Sequence, residues 1–345
     1  MITVIDNITY LLDGDKLTAT VTKSLTPYEG EVVVPATVEC NGAVYRVVDI
    51  LDEAFAGCLG LRSVALGGNV ESIGISAFEG CTALESVALG CSLGIIGMSA
   101  FKGCVALKDI VFPQSVLVVG REAFAGCTAL ECVALPDNLV NVEPSLFDGC
   151  SALRDVVLGA TVDSIGEYAF CGCSSLKRVA FPDSLLSIEG WAFRDCAALE
   201  CVELPSSLVS LKKGAFWGCS SLAAFALPAG VNMLDQGVLA NCTSLENVVL
   251  GDGVLSIGYG AFYNCSSIKS ITIPQAVVNV GDQAFRSCKA LQELRVMCDA
   301  APMCSGDIAD ADVYSRTLLL VPRGKVGEYG FARIWERFGN VEETD

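Results

Sequence analysis

The stretch Leu176–Ala198, LKRVAFPDSLLSIEGWAFRDCAA, decides the fold. Leu176, Val179 and Phe181 point to one side of a short extended segment, LxxVxF. Pro182 then ends the strand, because proline has no N–H to give to a ladder. Leu185 and Ile188 carry the chain back along the far side. Ala192, Phe193 and Cys196 predict one tight helical turn, since a spacing of three puts Phe and Cys on the same side. Each such coil is expected to hold one strand and one short turn, and to leave one apolar flank that only a neighbouring coil can cover.

Working outward from this unit, the same pattern recurs without insertion. Eleven of the 18 cysteines, Cys58 through Cys288, stand 23 residues apart. Three residues before each is a phenylalanine, from Phe55 to Phe285, with Leu239 as the one replacement. Three residues after each is a leucine, from Leu61 to Leu291, with Ile268 as the exception. Periods of about 20–29 residues mark leucine-rich solenoids. Equivalent strands would pair in parallel about 4.8 Å apart, so eleven would span on the order of 50 Å. The wider opposite wall should curve the stack. The expected fold is α/β: a right-handed leucine-rich-repeat solenoid with a concave parallel β-sheet, short helical turns on the other side, and a cap at each end.

The ends depart from the repeat. Residues 1–50 read as an N-terminal β-hairpin cap, with Asp13-Gly14-Asp15 and Asn41-Gly42 as turns. Residues 51–296 are the solenoid, and residues 297–345 a C-terminal cap. Within that cap EYGFARIWERF suggests a helix burying Tyr329, Phe331, Ile334, Trp335 and Phe338 over the open end of the core.

Composition narrows the chemistry. There is no histidine, so Ser-His-Asp and Cys-His nucleophile pairs and His-based metal sites are excluded. With 22 Lys+Arg against 40 Asp+Glu, the net charge of −18 argues against nucleic acid and anionic membranes as partners. Apolar stretches such as Val116–Val119 are far shorter than the roughly 20 residues of a spanning helix, so no membrane insertion is expected. MITVIDNITYLLDGDK has neither a basic start nor an apolar core, so this chain carries no export signal. Either the protein stays in the cytoplasm or an export signal has been removed from it. No enzyme activity and no cofactor are expected.

The unit LxxVxFPxxLxxIxxxAFxxC resembles the BspA-like leucine-rich-repeat proteins of bacterial surfaces. The segments VYRVVDILDEAFAGC and TLLLVPRGKVGEYGFARIWERFGNVEE are similar to that family's lead-in and closing segments. The resemblance implies a solenoid, a cell-surface or secreted location, and adhesion to a protein or glycan partner; it carries over no catalytic residue. The alternative is an intracellular scaffold that arranges other proteins.

Two surfaces are candidates for partner binding. On the strand side these are Asp109, Val111, Asp155, Val157, Arg178, Ala180, Glu203, Asn247 and Val249, from the third and fifth positions of LxxVxF. Eight of the eleven fifth-position residues are Ala or Val. That column reads either as an apolar stripe for a partner or as small residues fitted to a crowded concave sheet. The second surface is aromatic: Tyr168, Trp191, Trp217, Tyr259 and Tyr263 gather near the AFxxC turn of later coils. Trp and Tyr favour interfaces, but they also pack over coil edges. The cysteine ladder reads as buried free thiols. Cys298 and Cys304 remain a candidate disulfide pair. Asp307, Asp310 and Asp312 could offer oxygens to calcium, although their spacing fits a solvated loop better.

Overall fold

The computed structural model describes residues 1–344. The chain divides into two compact units, Met1–Val179 and Ala180–Asp345. Each is a stack of coils whose equivalent segments pair in parallel, so the expected leucine-rich-repeat solenoid is the observed fold.

In the first unit the strands β1 (Ile2–Ile5), β2 (Ile8–Asp13) and β3 (Thr18–Val21) form an antiparallel meander. The Asp13 carboxylate accepts the N–H groups of Asp15 and Lys16, which closes the expected turn. A further hairpin, unseen in the sequence, joins β1 to β2 through Asp6 and Asn7, both at positive φ. Asx residues tolerate that geometry without glycine. Next come β4 (Gly30–Val34), β5 (Thr37–Cys40) and β6 (Ala43–Ile50), with Asn41 and Gly42 turning β5 into β6. β4 starts the strand-side ladder by pairing with Leu61–Leu66, and β6 starts another by pairing with Ser72–Ile73.

That other ladder corrects the sequence reading. Each full coil carries a second, two-residue strand, as in Ser72–Ile73, Ile95–Ile96 and Val118–Val119, paired in parallel from coil to coil. The Leu-x-x-Ile segment was too short to signal a strand alone; only the neighbouring coil supplies its hydrogen bonds. The AFxxC segment also differs. It is a run of hydrogen-bonded turns, and no helix forms there. Its backbone reaches across coils: Phe78 N–H donates to Ala100 O at 2.7 Å and Phe101 N–H to Ala123 O at 2.8 Å. A chain whose N–H groups serve the next coil cannot also close an α-helix. Nor is the strand side one unbroken sheet. In the first unit Ser86–Ala88 ends one ladder and Asp109–Val111 opens another.

The core is assembled from the repeated side chains. The Phe rings stack at 4.7 Å from Phe55 to Phe78 and 5.0 Å from Phe78 to Phe101. In the second unit Phe193 stacks on Phe216 at 5.3 Å. Beyond the first coil the ladder thiols donate to a carbonyl of the preceding coil, as Cys104 does to Phe78 at 3.2 Å, Cys219 to Phe193 at 3.2 Å and Cys265 to Leu239 at 3.1 Å. Cysteine here is a packing residue with one small donor. Tyr28 closes the first stack, its ring 4.5 Å from that of Phe55 and its N–H on the Cys58 sulfur.

At the C-terminus α1 (Ala311–Arg316), the strand Leu318–Val321, α2 (Val326–Phe331) and a 3₁₀ turn at Trp335–Arg337 replace the single expected helix. Tyr329, Ile334, Trp335 and Phe338 are buried as expected. Phe331 is not: it is 90% exposed. It lies two residues from Tyr329 on α2, and such a spacing does not share a helix face. Trp335 Nε1 donates to Pro302 O and the Tyr329 hydroxyl to Cys298 O, so the aromatic cap is hydrogen-bonded as well as packed.

Candidate functional site

On the strand side of the first unit, Asp109, Cys132 and Asp155 pair in register, and so do Val111, Ala134 and Val157. The pleat that buries Ile110, Val133 and Val156 turns these six outward. Val111 is 79% exposed and Val157 61%; Arg178 is exposed at the position of its strand that Asp109 and Asp155 hold in theirs. Alongside runs a column of alternating charge, with Lys108 facing Glu85 at 3.5 Å and Arg154 facing Glu131. Exposed pairs of this kind add at most ~1 kcal/mol each, so they shape the surface more than they hold the fold.

In the second unit Ala180 and Glu203 meet in an isolated bridge, while Asn247 and Val249 lie in one ladder opposite Ala224 and Ala226. All four candidates are exposed. Beside Val249 a groove opens, lined by Leu250, Asp252, Thr272, Pro274 and Met297. Asp252 and Met297 were not singled out from the sequence. Their signal was GDG at 251–253, which stands where neighbouring coils carry proline at Pro228 and Pro274.

The aromatic column behaves differently. Trp191 sits at φ 60°, in the turn position that Gly214, Gly237 and Gly260 fill in later coils. Its indole occupies the space of an absent side chain: a Cβ on Gly214 would lie 2.1 Å from the Trp191 ring. Trp217 does the same over Gly237 at 2.8 Å. The two indoles meet edge to face at 5.6 Å, and the Arg194 guanidinium lies 5.4 Å from the Trp191 ring centre. Trp191, Trp217 and Tyr263 are half-buried, as is Tyr168 in the first unit. Tyr259 alone of the five is exposed, at 46%.

The titratable groups are held in single states. Burial pushes the thiols of Cys81, Cys242 and Cys288 up to about 12, so they remain protonated and poorly nucleophilic. Lys102 and Glu122 form a 2.6 Å ion pair; their hydrogen bond raises the lysine and lowers the carboxylate, so each is fixed in its charged form. Cys298 and Cys304 are not joined: Cys298 donates to Pro274 O at 3.1 Å, and burial raises both thiols. Asp307, Asp310 and Asp312 each face an arginine, respectively Arg337, Arg286 and Arg316. Among the described residues no group of His, Cys, Asp or Glu is placed to hold a metal ion, and no helix is long and apolar enough to cross a membrane.

The repeat geometry agrees with one family. The BspA-type leucine-rich repeat region, in 6 copies, matches residues 48–177, 141–266 and 225–299. The chain belongs to that family. Among solved structures the chain is similar to a leucine-rich repeat protein from Bacteroides ovatus, 26% identical, covering 99% of this chain and 100% of that one with a TM-score of 0.63. A leucine-rich cell surface protein from Faecalibacterium prausnitzii is 25% identical, covering 100% and 95% with a TM-score of 0.62. The pneumococcal vaccine antigen PcpA, at 16% identity, covers 100% of this chain and 99% of its own with a TM-score of 0.56, which is a likeness of fold. No curated protein matches the chain. The family and fold are those of binding scaffolds and are generally non-enzymatic.

Proposed function

We propose that this chain is a non-enzymatic adhesion scaffold at the cell surface, taking up a protein partner on its strand side. The observation that carries the reading is the outward column of small and apolar residues, with Val111 and Val157 in the first unit and Val249 beside its groove in the second. Exposed apolar surface rimmed by polar groups favours protein contact. A glycan partner is less favoured, because the indoles of Trp191 and Trp217 are engaged with Gly214, Gly237 and Arg194. The surface location is supported by the likeness to the F. prausnitzii leucine-rich cell surface protein, 25% identical over the whole chain. Residues 1–50 and 297–345 act as caps in this reading.

The test is solid-phase binding of the protein to arrayed extracellular proteins and glycans. A protein signal that Val157→Asp or Val249→Asp weakens supports the proposal; a signal indifferent to both, or one confined to glycans, overturns it. Antibody labelling of intact cells checks the location. Labelling only after permeabilisation would favour the intracellular scaffold.

A further inference from the structure

The first unit carries an open sheet edge. β4 is the end strand of its ladder: among the described residues it pairs with Leu61–Leu66 on one side and with no strand on the other. Alongside the free edge runs a groove, walled by Asp6, Asn7 and Ile8 on one side and by Glu31, Val32 and Val33 on the other. Its floor is preformed. The hydroxyl of buried Tyr28 donates to Thr22 O at 3.1 Å and accepts the Thr9 N–H at 3.1 Å, which fixes the 22–29 segment against β2. Val33, in the groove wall, is 67% exposed.

We propose that the free edge of β4 is a docking strand for an extended, basic segment of a partner protein. A free edge offers unpaired N–H and C=O groups in register for one more strand, and such strand addition takes its affinity from the main chain. Charge selects the occupant. The groove is lined by Asp6, Glu29 and Glu31 and by no lysine or arginine. Within a chain of net charge −18, that lining attracts cations and repels acids. A second copy of this chain is disfavoured for the same reason: pairing β4 with β4 would bring two acidic edges, each with Glu29 and Glu31, into one groove. Val33 and Ile8, which line the groove, supply apolar contacts for alternate side chains of the incoming strand. The site is separate from the strand-side candidates, and it goes beyond the function proposed above.

Three fluorescein-labelled peptides test this by anisotropy at low and at physiological salt. They are Lys-Val-Thr-Val-Lys-Val-Thr, its Glu-for-Lys counterpart, and a Lys-Val-Pro-Val-Lys-Pro-Thr version that keeps the charge but lacks two N–H donors. The first should bind and the acidic peptide should not. The proline peptide should bind about tenfold more weakly or worse, since proline cannot join a ladder. Glu29→Lys and Glu31→Lys should each weaken the basic peptide by about tenfold, as like charge at a docking site does. Glu246→Lys, in the other unit, should leave binding unchanged. Both groove carboxylates are exposed, so these variants fold; Glu31→Gln gives a milder check. Hydrogen exchange should slow at residues 31–33 when the peptide is bound. The proposal is overturned if no basic peptide binds, if the proline peptide binds equally, or if Glu246→Lys is as damaging. It is equally overturned if residues 31–33 gain no protection, or if ultracentrifugation shows self-association that Glu31→Lys abolishes. Val157→Asp should not affect the peptide, which separates failure here from failure of the strand-side reading.

Discussion

The turn side of a coil and its strand side share one 23-residue period and use it in opposite ways. On the turn side the coils repeat one answer: a buried aromatic or leucine, then a buried thiol that, beyond the first coil, donates to the coil before it. On the strand side the backbone repeats while the outward residues change, from Asp109 to Cys132 to Asp155 along one column. Identical stacking needs identical side chains where coils touch each other. Where coils touch water or a partner, only the backbone is constrained. The stacking contacts and the variable residues are laid on different sides of the same coil.

The comparison is most exposed to attack at the phenylalanine stack. Phe193→Ala should lower stability by about 3–5 kcal/mol, as buried aromatic truncation does, because the ring is packed against Phe216 and Phe181. Chemical denaturation measures it, and a change below about 1 kcal/mol would break the claim that this side holds the fold. The thiols come next. Cys81, Cys242 and Cys288 titrate at about 12 in the fold against an ordinary 9.0. Below pH 9 both folded and unfolded chains keep these protons, so that contribution is fully present. As pH rises toward 12 the unfolded chain releases them and the fold does not, so each thiol removes about 1.4 kcal/mol per pH unit. Melting temperature should therefore fall steeply above pH 9, and Cys242→Ala should make the fall shallower. Gly214→Ala should cost about 1–3 kcal/mol from overpacking against Trp191, and less in a Trp191→Ala background. Thermal melts of the four proteins form the cycle; equal costs in both backgrounds would remove the indole from the argument. Smallest of all, Val157→Ser and Val249→Ser should change stability by no more than about 0.5 kcal/mol. A larger loss would mean the strand side also holds the fold, and the contrast would disappear.

Much of the fold was legible because the period is strict. Phe and Cys at fixed spacing demand a common side, and a side that apolar must be covered. The second strand was not legible, since Ser187–Ile188 and its equivalents are two residues long and pair only with other coils. Nor was the reason for cysteine, whose acceptor is a carbonyl 26 residues earlier. Tyr329, Ile334, Trp335 and Phe338 were correctly placed in the closing cap, but Phe331 was not, because it lies on α2 two residues from Tyr329 and so turns to the helix's other face. Of the candidate site, the outward positions of LxxVxF followed from strand alternation. The groove at Val249 and Met297 did not, because it depends on where Met297, beyond the last regular strand, comes to rest.

By itself, then, the order of residues determined that coils of one length must stack, which side faces inward, and that the chain carries a strong negative charge without histidine chemistry. Those are consequences of spacing and composition, which need no coordinates. Only the folded chain decided that β4 keeps an open edge, that Trp191 lies over Gly214, and that the AFxxC segment is turns in place of helix. Each of these depends on hydrogen bonds or contacts between residues distant in sequence, and a linear pattern cannot say which partner will arrive.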